Sequence, residues 1–300
     1  DTKFTQSYIN FFMIQRLPHF LLIFTIVAWG SSFPVMSFLL NSLEPMPLAL
    51  SRFFIPALLS IVFIIFKKII LDKKDILRFL LAGLTGIFAY NLFLNTGQQT
   101  VSAGASSFIV NCNPLFASLI GFYILKQKVK SYFWFGIILC ILGVFIISME
   151  TYNDFSLNLG VFYILIAALL TSSYFHIINP LVNKYGALTA FSFTIFFGTI
   201  PMLIWFNDVY QLIFSAPLDI LIAMSWLSII CTLLGYYTWT YSVGFFGANK
   251  ASFFLFLIPV FSIIIDFIIF YKFPNFFTLV GGFIILTTVS VIMILSYREK

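Results

Sequence analysis

Ten apolar stretches, each about as long as a bilayer is thick, leave this chain very few folds to choose from. They lie near residues 20–40, 47–66, 76–96, 101–125, 132–149, 158–179, 188–206, 219–241, 248–270 and 276–296. A helix rising 1.5 Å per residue needs about 20 apolar residues to cross a hydrocarbon core of about 30 Å. Only 9% of the residues are charged and 61% are hydrophobic, against about 25% charged in a typical soluble domain. So few charges cannot cover a water-facing surface. A membrane β-barrel is excluded because its strands alternate polarity over about ten residues, whereas these runs are continuous. The predicted fold is an all-α integral membrane protein of ten transmembrane helices. The short links make sequence neighbours antiparallel neighbours in space.

Charge sets the expected orientation. If the N-terminus is cytoplasmic, the inner segments hold 14 of the 16 Lys and Arg residues, leaving only Lys272 in an outer loop and Arg52 at the outer start of the second span. The outer loops then carry Glu44, Glu150, Asp154, Asp208 and Asp219. This asymmetry predicts a multi-pass cell-membrane protein with both termini cytoplasmic. The net charge of +6 thus reports topology, and no nucleic-acid partner is expected. The first ten residues are too polar for a secretory signal. Cys112, Cys140 and Cys231 sit inside apolar spans without metal or redox spacing and read as small buried hydrophobes. The 41 Phe residues read mainly as lipid-facing filler.

The chain also repeats. Shifted by 145 residues, Ser102-Ala103-Gly104-Ala105-Ser106-Ser107-Phe108 falls on Gly247-Ala248-Asn249-Lys250-Ala251-Ser252-Phe253. Pro114-Leu115-Phe116 falls on Pro259-Val260-Phe261, and Gly136 on Gly281. The expected organisation is a cytoplasmic segment at 1–17, a five-helix repeat at 18–150 and a second at 156–297. Five is odd, so the second copy would cross the membrane upside down, a recurring plan in secondary transporters with a midplane site between the halves.

On these residues the chain resembles the EamA-like ten-helix branch of the drug/metabolite transporter superfamily. The first span carries Ala28-Trp29-Gly30-Ser31-Ser32-Phe33-Pro34 and the second Leu50-Ser51-Arg52-Phe53-Phe54. Ser102-Ala103-Gly104-Ala105 with Pro114, and Gly247-Ala248 with Pro259, complete the likeness. The resemblance implies an inverted-repeat fold around a central cavity lined by the first, third, fourth, sixth, eighth and ninth helices. It also implies transport of metabolites such as amino acids, often as export. Two departures limit it. Where the family often ends its fourth and ninth helices in Gly-Glu, this chain has Lys126-Gln127 and Tyr271-Lys272. No acid lies between Pro18 and Asn41, so the first-helix proton coupling of small multidrug relatives is not carried over.

Polar groups inside hydrocarbon are costly unless partnered, which makes them site candidates. Asn91, Asn95 and Gln98 share one helical face by their spacing of four and three. They bond either substrate or neighbouring helices, and Gln98 can equally sit among headgroups. Asn111 and Asn113 flank Pro114, whose missing N–H frees the carbonyl of Val110. Ser252, Pro259, Ile263 and Asp266 repeat that pattern, so Pro114 and Pro259 are candidate gate hinges or static kinks. The sixth span offers Tyr174, His176 and Asn179, with His176 able to titrate near neutral pH. Trp29, Tyr90, Tyr237, Trp239 and Tyr241 could form an aromatic lining, Tyr236 and Tyr237 an interfacial belt. His19 and Lys250 read as interfacial. Asp266 lies toward the outer end of the ninth span at a depth comparable to Arg52. Either the two pair as a lock or Asp266 is an ion site, with a structural role favoured for Arg52.

The predicted function is a secondary transporter of small metabolites, amino acids or related compounds, working by alternating access as a monomer or weak homodimer in the lipid bilayer. A flippase of lipid-linked substrates is the main alternative. A membrane-embedded enzyme fares worse, since no paired carboxylates, His–Glu motif or Ser/His/Asp grouping is present. No P-loop occurs, and no cofactor or metal is expected.

Overall fold

The computed structural model describes residues 2–124, 126, 130–149, 158–247, 251 and 253–298, with side chains from Leu17 to Ser296. The expectations placed on Lys250 and Ser252, on the 248–250 stretch of the repeat, and on Glu150, Asp154 and Gln127 lie outside the described residues. Among those described, every regular element is helical.

Among the described residues, nine helices are long and apolar enough to cross a membrane. They are α1 (Leu17–Leu39), α2 (Pro45–Phe66), α3 (Lys73–Gln98), α4 (Ala103–Tyr123), α5 (Ser131–Ser148), α6 (Leu159–Tyr185), α7 (Ala187–Ser215) and α8 (Leu218–Phe246), then, after a shorter apolar helix α9 (Phe254–Phe270), α10 (Phe276–Ser296). The α1 backbone is continuous with helix from Thr2. The seventh span extends nine residues past its expected end, to Ser215.

Helix ends follow local chemistry. Pro45 and Pro47 open α2, where a missing N–H costs no hydrogen bond. The Ser102 side chain caps α4 by accepting from the Ala105 N–H, and Asn158 caps α6 through the Gly160 N–H. Gly186 and Gly247 end α6 and α8 with φ of 81° and 80°, a region where any Cβ would be strained.

Several helices are interrupted at related places. Both α3 and α8 contain a π segment, Leu84–Ala89 and Trp226–Leu234. α4 breaks at Asn111–Cys112 just before Pro114, and α9 opens with a 3₁₀ turn, Phe254–Leu257, just before Pro259. Pro56 in α2 and Pro201 in α7 are also 145 residues apart.

The contacts fix the relative directions of neighbours. α1 runs antiparallel to α8, since Pro18 meets Ser242, Thr25 meets Thr238 and Ser31 meets Trp226. α3 runs antiparallel to α6, from Asp75 against Lys184 to Thr100, just past its end, against Asn158. α5 runs antiparallel to α10, Gly136 lying against Ile292 and Gly143 against Gly281. Parallel pairs are α3 with α7 (Phe79 on Phe193, Gly83 on Gly198), α4 with α6 (Asn113 to Ser172, Ala117 to His176) and α1 with α9 (Gly30 on Ser262, Phe38 on Phe270). At Gly83/Gly198, Gly97/Gly160 and Gly143/Gly281 backbones touch where a Cβ would collide. Such small-residue seams drive helix association in lipid, where the hydrophobic effect between helices is absent. The apolar outer faces, for example Phe135, Ile138 and Ile141 of α5 and Phe283 and Val291 of α10, are exposed, as lipid contact requires.

Candidate functional site

Where α1, α2, α7 and α8 meet beside α3, polar and aromatic side chains gather around one cation. The π segment of α8 is the local cause. A π turn shifts the helical register by one residue and leaves carbonyls without their usual partners. The carbonyl of Cys231 accepts from Trp29 Nε1 at 3.0 Å, and the Cys231 thiol donates to the Ala28 carbonyl at 3.0 Å. Thr232 Oγ1 donates back five residues to the Leu227 carbonyl at 2.8 Å. That leaves Thr232 Oγ1 able to accept from Arg52 Nε at 3.0 Å.

Arg52 is therefore buried, 7% exposed, one-third of the way along α2. Its Nη1 points at Met36 Sδ at 3.4 Å and its guanidinium lies 5.2 Å from the Phe53 ring centroid. All these neighbours are neutral, and among the described residues Arg52 makes no ion pair. It is also the sole buried Lys or Arg among them.

Aromatic rings form the adjoining wall. Tyr236 stacks on Phe191 at 4.0 Å and meets Trp29 edge-on at 5.1 Å, while Trp239 lies 5.4 Å from Trp29. Trp29 lies on Gly235, where a Cβ would come within 2.8 Å of Nε1. A matching contact occurs between α3 and α6. Tyr174, 145 residues after Trp29, lies on Gly86 of the α3 π segment, where a Cβ would come within 2.5 Å of the ring.

Of the residues singled out from sequence, Trp29 and Trp239 join this cluster, while Tyr90 is partly buried against the main hydrophobic core. Tyr237 and Tyr241 share a face and are 55% and 44% exposed, away from the Trp29 contacts. Tyr236, read from sequence as belt, is the tyrosine that turns inward. Asn91, Asn95 and Gln98 are buried along one stripe and donate to the backbone carbonyls of Ile87, Pro45 and Phe33, while their own carbonyl oxygens have no partner. Asn111 bonds the Ser107 carbonyl one turn back. Asn113 lies at the α4–α6 seam, its backbone carbonyl accepting from Ser172 Oγ at 2.9 Å. His176 belongs to that same seam, with Nε2 2.9 Å from the Ala117 carbonyl. This nitrogen must carry a proton to bond a carbonyl. His19 packs edge-on against Phe246 at 4.7 Å.

Arg52 and Asp266 do not pair, because Arg52 turns to α8 and Asp266 to a different group of helices. Asp266, 9% exposed, lines a cavity of ≈ 240 Å³ with Ser37, Ser102, Ile263, Lys272 and Phe273. What sequence reading missed was Tyr236, Thr232 and the inward course of Arg52. The signal was available in part, since an Arg in the second turn of an apolar helix needs a polar setting.

Comparison with known proteins gives a consistent likeness. The description of the EamA-like transporter family matches the chain twice, over residues 16–149 and 158–294. A protein of Bacillus subtilis (strain 168) named "Uncharacterized transporter YdfC" is 31% identical over 256 residues, covering 85% of this chain and 83% of that one. A "Probable terminal-alkyne amino-acid exporter" of Streptantibioticus cattleyicolor is 24% identical over 262 residues, covering 87% and 88%. A solved crystal structure, 14% identical, superposes with a TM-score of 0.60 over 94% of this chain and 98% of the other, and so shares the fold.

Proposed function

The chain belongs to the EamA-like transporter family, and from that premise we propose that it is a secondary transporter of amino acids or closely related metabolites. It works by alternating access between two inverted five-helix repeats, 18–150 and 156–297, in the cell membrane, with both termini cytoplasmic. The double family match supports the repeat. So does the pattern of directions. α1 parallel to α9 and antiparallel to α8 is mirrored by α6 parallel to α4 and antiparallel to α3, which is what exchange of the two halves demands. The antiparallel pairing of α5 with α10 supports inversion.

The observation that carries the transport reading is the cluster to which both halves contribute. Trp29 and Arg52 come from one half, Phe191, Thr232 and Tyr236 from the other. A solute held there touches both halves, so its binding can bias how they rock. The name of the relative in Streptantibioticus cattleyicolor supports amino acids as the substrate class. Pro114 and Pro259, at matched helix breaks, serve as the flexing points. Asp266, partly open to a cavity, is a better coupling site than His176, whose ring is held by the Ala117 carbonyl.

Counterflow in proteoliposomes tests this. Liposomes preloaded with amino acids, nucleosides or S-adenosyl compounds are expected to show saturable exchange for the amino-acid class. Saturable exchange confined to nucleosides or S-adenosyl compounds would reassign the substrate, and stabilisation by lipid conjugates alone would reassign the protein as a flippase. Asp266→Asn is expected to abolish accumulation against a gradient while leaving exchange.

A further inference from the structure

A guanidinium in the interior of a membrane protein is costly to bury, stays protonated, and normally finds an anion or water. Arg52 finds a threonine hydroxyl, a thioether and an aromatic face. These are neutral acceptors that cover part of one edge of the group. Arginine carries five N–H donors in a fixed fork. Nη2 donates no hydrogen bond among the described residues, yet it is not one of the polar atoms sealed from contact without a partner. Thr232, which holds Arg52, follows directly on Cys231, whose carbonyl holds Trp29 of the Trp29–Tyr236–Phe191 shelf.

Resting on the transporter reading, we propose that Arg52 is the residue that reads the substrate, taking a carboxylate end-on through its Nη groups while the aromatic shelf takes the apolar remainder. The missing counter-charge is thus delivered by each solute molecule. Two features fit a carboxylate. The fork matches its two oxygens in parallel hydrogen bonds. A single fixed positive charge balances a monoanion, whereas a phosphate dianion would leave the site net negative. Thr232, by holding Nε, is a positioning residue that aims the fork.

The test compares the proteinogenic amino acids with their α-carboxamides, which keep size and side chain but lose the negative charge. Affinity is read from thermal stabilisation of the purified full-length chain in detergent, since a ligand that binds the folded state must raise its apparent stability. At least one free acid is expected to bind about 10- to 100-fold more tightly than its amide, the range of a charge-assisted pair in place of a neutral one. Arg52→Gln should bring acid and amide to within about threefold. Arg52→Lys, which keeps the charge and loses the fork, should retain an intermediate preference. The ligand-free melting temperature of Arg52→Met should match or exceed that of the unaltered chain, because an uncompensated charge has been removed.

Equal binding of acids and amides, or no stabilisation by any acid, would overturn the proposal, as would an acid preference that survives Arg52→Gln. Should both neutral variants fail to fold, Arg52→Lys decides, and an unchanged preference there overturns it. The outcomes separate from those of the transport reading. Acid-selective binding without exchange in liposomes keeps the Arg52 site and rejects transport, while exchange of acids and amides alike keeps transport and rejects the site.

Discussion

Two charged groups in this molecule are treated in opposite ways. At the far end of α3, Asp75 accepts Lys184 Nζ at 2.5 Å and the Tyr185 hydroxyl at 2.8 Å, with Arg78 3.9 Å away. Lys184 also pairs with Asp72, and the Asp72 N–H donates to Tyr185. Every charge there has its opposite, and the arrangement ties α3 to the end of α6. Arg52, buried to a similar extent but inside an apolar span and not at a helix start, has no opposite among the described residues. Charges that hold a fold together come paired. One kept unpaired in the costlier place is kept for something outside the chain.

The most direct way to break that contrast is to give Arg52 a partner. Thr232→Asp places a carboxylate where the accepting hydroxyl now stands, so Arg52 becomes a paired charge like Asp75. Counterflow is expected to fall by about 100-fold or more, the loss of a full charge-assisted site, while the melting temperature holds or rises. A variant that transports normally would place the substrate elsewhere. Next in size, Gly235→Leu and Gly86→Leu drive a side chain into Trp29 and Tyr174 and should each cost about 1–3 kcal/mol through overpacking, read by thermal unfolding. Equal losses would support the two contacts being equivalent across the halves. A third variant, Thr25→Cys with Thr238→Cys, joins hydroxyl positions 2.7 Å apart across α1 and α8. Oxidative cross-linking should halt exchange, and reduction should restore it. Exchange that persists while cross-linked would mean the α1–α8 seam does not move. The smallest effect belongs to the paired cluster. Asp75→Asn should lower the melting temperature by a few degrees, less so at high salt, because Lys184 is close enough to water to be resolvated. It should leave the acid-over-amide preference untouched.

Much of this was legible before any coordinates. Hydropathy finds helices because lipid forces backbone polar groups to bond internally, and the helix boundaries differ from expectation mainly where α7 runs on to Ser215. The polar stripe Asn91/Asn95/Gln98 was correctly placed on one buried face. What periodicity could not supply was which face points where. Tyr237 and Tyr241 share a side by spacing alone, and spacing is silent on whether that side meets lipid or protein. Tyr236, one residue earlier, faces inward because Phe191 and Trp29 stand opposite it, and those partners lie 45 and 207 residues away. Arg52 is a similar case. Its partner Thr232 lies 180 residues away, in a π segment that no local sequence pattern announces.

The π segments of α3 and α8 carry a mechanical consequence. An α-helix advances about 100° per residue, so the one extra residue in a π turn acts as a stored step of a screw. If the bulge resolves in one half, everything beyond it pivots by about that angle without breaking the helix. Tyr90 follows directly on Leu84–Ala89, and Tyr236 lies two residues past Trp226–Leu234. Each half thus holds a tyrosine within two residues of the end of its π segment, where resolving the bulge would turn the ring.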